Sequence, residues 1–422
     1  MEHCAFDNIV GYEGIKEELR QVIDMIDNPQ FYEKLGAKLP HGILLIGAPG
    51  TGKTTLCQAF MKEAGLYPIT LRKNSSDGDF VKEITTAFSK AKEQASAIIL
   101  LDDLDKFANE DESHSDAEEY VAVQAGIDWV KDSRVIVLAT VNNPRKLPKS
   151  LTRAGRFDRQ IKLPMPSAAE SEEILSYYMA DKPFDPSINT EDIVKMVSGN
   201  VAAVMESILN DAAIMAGAER CEYICQKHIV SAVLRREYDG FDSAEAMDEE
   251  EMRCRAIHEA GHATVALVLG EDVGLISIAG GDNHEAGGFI HLANRIERRP
   301  YDVMVCLGGK VAAELYFKNV ASGCHSDLER ATLLVMNGIS NNATAGLFLT
   351  DGGELGSSSF SSMQEVAVKT ELQRYMTQTR NILLDNRELL EELNKAILEK
   401  RTLLYSDIQT ILSGFTVETA RL

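Results

Sequence analysis

The sequence has 422 residues, of which 45% are hydrophobic and 26% charged, and this predicts a globular protein of two or three domains. A formal net charge of -22 argues against a nucleic-acid partner and against an anionic membrane surface, because both require a basic surface. Seven scattered cysteines predict reduced thiols, and no apolar run is long enough to span a bilayer, so we expect a cytoplasmic protein.

Residues 1–165 alternate short apolar strands with amphipathic helices, which is the pattern of a parallel α/β sheet. The strand predicted at 43–46 is followed by GAPGTGKT, which fits GxxxxGK[ST], and then by a helix predicted over 55–64. Backbone N–H groups of such a loop surround phosphate oxygens, Lys53 supplies a charge to the outer phosphates, and the Thr54 hydroxyl can bind Mg2+. The candidate nucleotide-binding residues are Gly47, Ala48, Pro49, Gly50, Thr51, Gly52, Lys53, Thr54 and Thr55.

Polar side chains follow two further strands. The strand at 97–101 ends in Asp102, predicted to associate with Mg2+, and Asp103, predicted to orient water. The strand at 135–139 leads to Asn142, which could reach the terminal phosphate.

Two longer stretches resemble the AAA+ ATPase module. Residues 6–42, from FDNIVG to LGAKLPHG, resemble its opening, and RAGRFDRQ at 153–160 resembles its arginine-finger segment. The resemblance makes Asn142 a sensor of the nucleotide state, and it makes Arg153 and Arg156 fingers that complete the neighbouring subunit's site. Residues 166–237 are predicted to be helical, with a capping box at Ser167 and Glu170, and resemble the module's small lid.

The second half contains HEAGH at 258–262, an HExxH pattern. On a helix, residues four apart share a face, so His258 and His262 can bind one Zn2+ while Glu259 serves as the general base. A capping box at Asp248 and Glu251 predicts where this helix begins, and Gly270 predicts where it stops.

An AAA+ module joined to HEAGH resembles the FtsH-type ATP-dependent zinc proteases, and the similarity covers residues 6 to about 412. We therefore expect a multidomain chain: a large α/β subdomain (1–165), a small helical lid (166–237), a linker (238–247) and a mainly helical zincin-type protease domain (248–422). The resemblance implies ATP, Mg2+ and Zn2+ as cofactors, protein substrates, and a homo-oligomeric ring, by resemblance a hexamer.

The third zinc ligand depends on the resemblance. SGCHSDL at 322–328 resembles a family segment whose aspartate binds zinc, which assigns Asp327, while Glu314, His291 and His325 remain alternatives of suitable chemistry. Two short strands at 275–279 and 288–292 are predicted to form a hairpin-like element, and the resemblance implies that this element flanks the substrate cleft. A loop is predicted over 340–362, followed by helices over 363–412 with a break near Asn386.

The sequence departs from the family in three places. Its members carry transmembrane helices upstream of the ATPase, whereas five residues precede Phe6 here, so a membrane is expected only if an upstream anchor is missing. Asp103 replaces the family's glutamate, and residues 72–80 lack the family's aromatic pore loop, with Phe80 as the nearby aromatic residue.

Two functions stay open on these residues. The first is an ATP-dependent zinc endopeptidase that unfolds and degrades proteins as a ring. The second is a nucleotide-gated assembly or remodelling protein whose motor is weak and whose peptidase activity is limited to unfolded substrates.

Overall fold

Two units make up the chain, Met1–Tyr177 with Asn200–Glu206, and Tyr178–Gly199 with Ser207–Leu422. The computed structural model describes residues 5–73, 79–108, 117–238, 248–279, 288–293, 301–317, 324–342 and 358–415. Four predictions therefore fall partly outside the described residues: the middle of the short pore loop, nearly all of the linker, the turn between the two strands of the second half, and most of the loop over 340–362. The domain limits at 166 and 238 stay predictions.

The first unit is built on a five-stranded parallel sheet in the order β2-β3-β4-β1-β5. Its strands are β1 (Gly42–Ile46), β2 (Tyr67–Leu71), β3 (Ala97–Leu101), β4 (Val135–Val141) and β5 (Arg159–Lys162). The three strands predicted from the sequence, β1, β3 and β4, are confirmed and lie side by side. Because they are parallel, the segments that follow them meet at one edge of the sheet.

Helices cover both faces of this sheet. Ile98 and Leu100 pack into one hydrophobic cluster and Ile99 and Leu101 into another, as expected when successive side chains of a strand point to opposite faces. The helices that pack into these clusters are α1 (Glu13–Asp27), α3 (Lys53–Ala64), α4 (Phe80–Glu93) and α5 (Glu118–Val130). The unit also contains α2 (Pro29–Glu33) and most of α6 (Ala168–Met179).

The predicted capping box at the start of α6 is confirmed. The Ser167 hydroxyl accepts the Glu170 N–H at 3.3 Å, and a Glu170 carboxylate oxygen accepts the Ser167 N–H at 2.9 Å.

The second unit is mainly helical, with one small sheet. After α6 come α7 (Thr190–Val197), α8 (Ala202–Ala218), which begins in the first unit, and α9 (Gln226–Tyr238). The remaining elements are α10 (Glu249–Val268), β6 (Val273–Ser277), β7 (Phe289–Leu292), α11 (Asp302–Tyr316), α12 (His325–Asn342), α13 (Ser358–Asp385), α14 (Arg387–Lys400), β8 (Thr402–Leu404) and α15 (Tyr405–Leu412).

Helix α10 carries the HEAGH residues. It begins after Asp248 as predicted, but the Asp248 side chain makes no cap hydrogen bond, so the predicted capping box is wrong. The acidic first turn, Glu249 to Glu251, interacts favourably with the helix dipole instead. The helix ends just before Gly270, whose φ of +79° is one that glycine adopts readily.

Strands β6 and β7 pair antiparallel, as predicted for a hairpin-like element, and β8 adds to the other side of β6 in the order β7-β6-β8. Strand β8 was not predicted, because three residues are too few to show an alternating pattern.

The predicted break near Asn386 is confirmed between α13 and α14. Residues 340–342 and 358–362, predicted to be loop, are helical. None of the described helices is long and apolar enough to cross a membrane.

Candidate active site and nucleotide-binding site

Helices α10 and α12 bring three possible metal ligands together. The Nε2 atoms of His258 and His262 lie 3.0 Å apart, and the Oδ2 of Asp327 lies 3.1 Å from the first and 3.2 Å from the second. In a tetrahedral zinc site with bonds of about 2.0–2.1 Å, neighbouring ligand atoms are about 3.3 Å apart. The donor types and the spacing of these three residues therefore fit Zn2+.

The second nitrogen of each imidazole has its own contact. The Nδ1 of His262 lies 2.6 Å from the carbonyl oxygen of Val305, so its N–H donates there and leaves the Nε2 lone pair to the ligand cluster. The Nδ1 of His258 lies 3.9 Å from the sulfur of Cys324. Burial alone would raise the pKa of Asp327, but its contacts with His258 and His262 hold that pKa well below its usual range.

Glycines allow α11 to approach this cluster closely. A Cβ built on Gly261 of α10 would lie 2.5 Å from the carbonyl oxygen of Gly308, so the two helices touch through their backbones. A Cβ on Gly309 would lie 2.5 Å from the Nε2 atoms of both histidines. These three glycines thus allow the two helices to pack closely enough to form the site. The sequence analysis did not assign this role to them.

Glu259 lies beside the cluster and is 4% exposed. Its burial raises the pKa of its carboxyl group to about 7, a value suited to proton transfer near neutral pH. The backbone of Gly288, just before β7, lies against this side chain, since a Cβ there would be 2.8 Å from the Oε1 of Glu259.

The alternative third ligands lie elsewhere. Glu314 pairs with Lys310 and, at 2.7 Å, with Arg380. The Nε2 of His291 lies 3.0 Å from the carbonyl oxygen of Ser198, and His325 is exposed.

A second group of metal-compatible side chains, Glu219, Cys221 and His228, was missed because the sequence analysis gave the cysteines no chemistry. The Nδ1 of His228 accepts the backbone N–H of Cys225 at 3.0 Å, which places the ring proton on Nε2, where it faces Glu219 at 3.2 Å. This group therefore acts as a hydrogen-bonded cap of α9.

At the edge of the parallel sheet, the phosphate loop (residues 47–54) follows β1. The Lys53 ammonium donates to the carbonyl oxygens of Gly47 and Ala48 at 2.9 and 2.8 Å. Burial lowers the pKa of Lys53, although nearby carboxylates oppose the shift. Gly50 and Gly52 have φ of +82° and +86°, a conformation that L-residues rarely adopt.

The predicted magnesium residues meet across neighbouring strands. The Thr54 hydroxyl donates to the Oδ1 of Asp102 at 2.8 Å, and the Thr140 hydroxyl of β4 donates to the same oxygen at 2.8 Å. A hydroxyl and a carboxylate beside a phosphate loop are ligands of the kind that Mg2+ prefers.

Asp103 is surrounded by donors. Asn142 donates to its Oδ1 at 3.1 Å, while Lys106 and Arg72 contact its Oδ2 at 2.9 and 3.3 Å. Burial would raise the pKa of Asp103, but the hydrogen bond and charge of Lys106 and the charge of Arg72 lower it. The two cations were missed by the sequence analysis; the spacing of Lys106, three residues after Asp103, was the available signal.

The two predicted finger arginines differ. Arg153 is exposed, and no described carboxylate pairs with its side chain. Arg156 binds Asp128 through two nitrogens, at 3.2 and 2.8 Å, and also donates to Gln124 and to the carbonyl oxygen of Ser150. Its guanidinium is therefore occupied within its own chain.

Phe80 faces inward. Only 5% of it is exposed, and its ring packs edge-on against Phe107 with centroids 4.8 Å apart. A side chain in this position is not available to hold a substrate.

Two family models match the chain: the ATPase family associated with various cellular activities (AAA) over residues 43–165, and peptidase family M41 over residues 245–411. Proteins named ATP-dependent zinc metalloprotease FtsH are similar over 98% of this chain. The one from Leptotrichia buccalis is 30% identical with 57% of its length covered, and that from Streptobacillus moniliformis 29% identical with 65% covered. The protein of the same name from Thermus thermophilus is 28% identical with 71% covered. The chain thus spans about three fifths of the length of the first two relatives.

Proposed function

We propose that this chain, as a member of the FtsH-type family, which joins an AAA module to a peptidase family M41 domain, is an ATP-dependent zinc endopeptidase. The observation that carries the proposal is the convergence of His258, His262 and Asp327 beside the buried carboxyl group of Glu259. Its substrates are proteins, and it works as a homo-oligomeric ring, which we take to be a hexamer.

His258, His262 and Asp327 would hold the metal, and three protein ligands are the number that a hydrolytic zinc site uses. When bound, Zn2+ polarises the peptide carbonyl and lowers the pKa of water toward neutrality. Glu259 accepts the proton of the attacking water and returns it to the leaving amine, a role that suits a carboxyl group whose pKa lies near 7.

Strand β7 is the candidate platform for the substrate. It lies at one edge of the sheet β7-β6-β8. An extended polypeptide can add to such an edge through backbone hydrogen bonds. Because Gly288 brings the start of this strand against Glu259, a polypeptide on the edge would pass beside the base.

In the nucleotide half, the loop from Gly47 to Thr55 would hold the phosphates of ATP, and Lys53 would supply a positive charge to the outer phosphates. Thr54 and Asp102 would hold Mg2+. Asp103 and Asn142 orient the attacking water, and Arg153, with its exposed side chain, is the better placed of the two arginines to reach a neighbouring subunit.

A second candidate function is nucleotide-gated remodelling with a weak motor, and two observations favour it. Phe80 is buried against Phe107, and the carboxylate of Asp103 is held by Arg72 and Lys106. Both features reduce the power available to pull a folded substrate.

The test is the degradation of one substrate protein in a folded and an unfolded form, with ATP, with ADP, and with ATP plus a zinc chelator. The first function predicts cleavage of both forms, with the folded form requiring ATP. Cleavage of the unfolded form alone supports the second function. No cleavage of either form by a chain that retains zinc contradicts the endopeptidase proposal.

A further inference from the structure

His291 has no part in the proposed chemistry, yet it makes a specific contact at the end of another element. It lies in β7, and its Nε2 donates to the carbonyl oxygen of Ser198 at 3.0 Å. Ser198 is the residue that ends α7 and is 1% exposed. A carbonyl at a helix end has no partner within the helix, so this hydrogen bond satisfies a buried acceptor.

Helix α7 is itself held firmly on the peptidase sheet. The Lys195 ammonium lies 2.6 Å from a carboxylate oxygen of Asp272, and Asp192 accepts the N–H and the hydroxyl of Ser406 at 2.7 and 2.9 Å. At the start of β6 the backbones touch, since a Cβ on Gly274 would lie 2.2 Å from the carbonyl oxygen of Lys195. Helix α7 is therefore joined to the start of β6 and to the helix α15 that follows β8.

A few residues after α7, the chain packs against the phosphate loop. Val201 packs there, because a Cβ on Gly50 would lie 2.8 Å from its Cγ2 atom, and the N–H of Ala203 points at the carbonyl oxygen of Gly50 at 3.5 Å. Two residues, Gly199 and Asn200, lie between Ser198 and Val201, so a short segment joins the end of α7 to the residue that packs on Gly50.

The residue just before β7 touches the catalytic base. Gly288 lies against Glu259 and is three residues from His291, a span of about 10 Å in an extended strand. The hydrogen bond of His291 therefore helps to fix the position of Gly288 against the carboxyl group of Glu259.

We propose that His291 is a positioning residue that ties β7 to the end of α7, so that the nucleotide state of the phosphate loop adjusts the alignment of Gly288 with Glu259. The proposal rests on the endopeptidase function for its effect on cleavage. It names no new catalytic group, because His291 acts only through the strand.

The test compares the parent with His291→Leu, which fills the space without a donor, and His291→Gln, which restores an N–H donor. Thr402→Val is the matched control, because it removes the hydrogen bond to Ser277 at 2.9 Å on the opposite edge of the same sheet. Cleavage of an unstructured reporter peptide is measured with ADP and with a non-hydrolysable ATP analogue, together with zinc content and thermal unfolding.

We expect His291→Leu to lower kcat by at least about tenfold, since a misplacement of about 1 Å can cost on the order of a hundredfold. KM, zinc content and the ATPase rate should stay near the parental values, and His291→Gln should recover most of the kcat. Thr402→Val should behave as the parent does. A parental kcat in His291→Leu, or an equal loss in His291→Gln while both remain folded, overturns the proposal.

Amide hydrogen exchange of β7 separates this proposal from the proposed function. In the parent, exchange over Phe289–Leu292 should differ between ADP and the ATP analogue, and in His291→Leu it should be faster and the same with both. Equal exchange with both nucleotides in the parent overturns the coupling. A parent that cleaves no peptide contradicts the endopeptidase function, while the exchange measurement still decides the role of His291.

Discussion

The backbone of Gly309 lies against the Nε2 of His262, so that a single added methyl group would come within 2.5 Å of that nitrogen. Real Cβ atoms do not approach so closely, and the methyl group would also point at the Nε2 of His258.

Gly309→Ala should therefore displace the imidazoles of His258 and His262 from the positions in which they can bind one metal ion. It should lower the zinc affinity by at least about tenfold. Zinc content after dialysis against a competing chelator measures the effect. Gly217→Ala is the control, because nothing lies within 4 Å of a Cβ there. Parental zinc affinity in Gly309→Ala would show that the helices can separate without cost.

Glu259→Gln should separate metal binding from proton transfer. Glutamine keeps the size and hydrogen-bonding capacity but cannot accept the proton, so cleavage should fall by about a hundredfold or more. About one zinc per chain should remain, because three protein ligands are intact. Glu250→Gln, an exposed acid on the same helix, should cleave at the parental rate. If Glu259→Gln lost its zinc instead, the carboxylate would be a ligand.

Asp103→Glu should raise the rate of ATP hydrolysis. The added methylene extends the carboxylate by about 1.5 Å toward the attacking water, and about 1 Å of misplacement can cost on the order of a hundredfold. Steady-state hydrolysis at saturating ATP and Mg2+ measures the effect, with nucleotide affinity as the control. A lower rate in Asp103→Glu would mean that Asn142, Arg72 and Lys106 form a site that fits only aspartate.

The two arginines should give different phenotypes. Arg153→Ala should keep the thermal stability and nucleotide affinity of the parent but lose hydrolysis by about a thousandfold, the effect of removing an arginine finger. Arg156→Ala should lower the free energy of unfolding by up to about 1 kcal/mol, because it breaks the partly exposed pair with Asp128. Parental hydrolysis in Arg153→Ala would remove that residue from the finger role.

Phe80→Ala should destabilise the first unit by about 3–5 kcal/mol, because it leaves a cavity beside Phe107. Denaturant unfolding followed by circular dichroism measures the change. The exposed Phe31, with 66% of its surface accessible, gives the control, and Phe31→Ala should change the stability by less than about 0.5 kcal/mol. Normal stability with loss of ATP-dependent degradation would instead mean that Phe80 grips substrate.

Local sequence patterns were enough to predict much of the structure of this protein. The apolar strands β1, β3 and β4, the phosphate loop between β1 and α3, and the HEAGH helix all follow from residue types at fixed spacings, because each depends on neighbours in the chain. The break at Asn386 and the capping box at Ser167 and Glu170 belong to the same class.

Contacts between distant residues were decided only by the tertiary structure. Asp327 is 65 residues from His262, and nothing in the local sequence separates it from Glu314, His291 or His325 as the residue that meets the two histidines. The donors around Asp103 come from three different segments, and Arg156 proves to be occupied by Asp128. Packing also set the direction of Phe80, since an aromatic side chain beside a loop can face either solvent or core until the surrounding elements are in place. The physical reason is common to all of these: a residue's chemistry is local, whereas its partners are chosen by how the helices and strands pack.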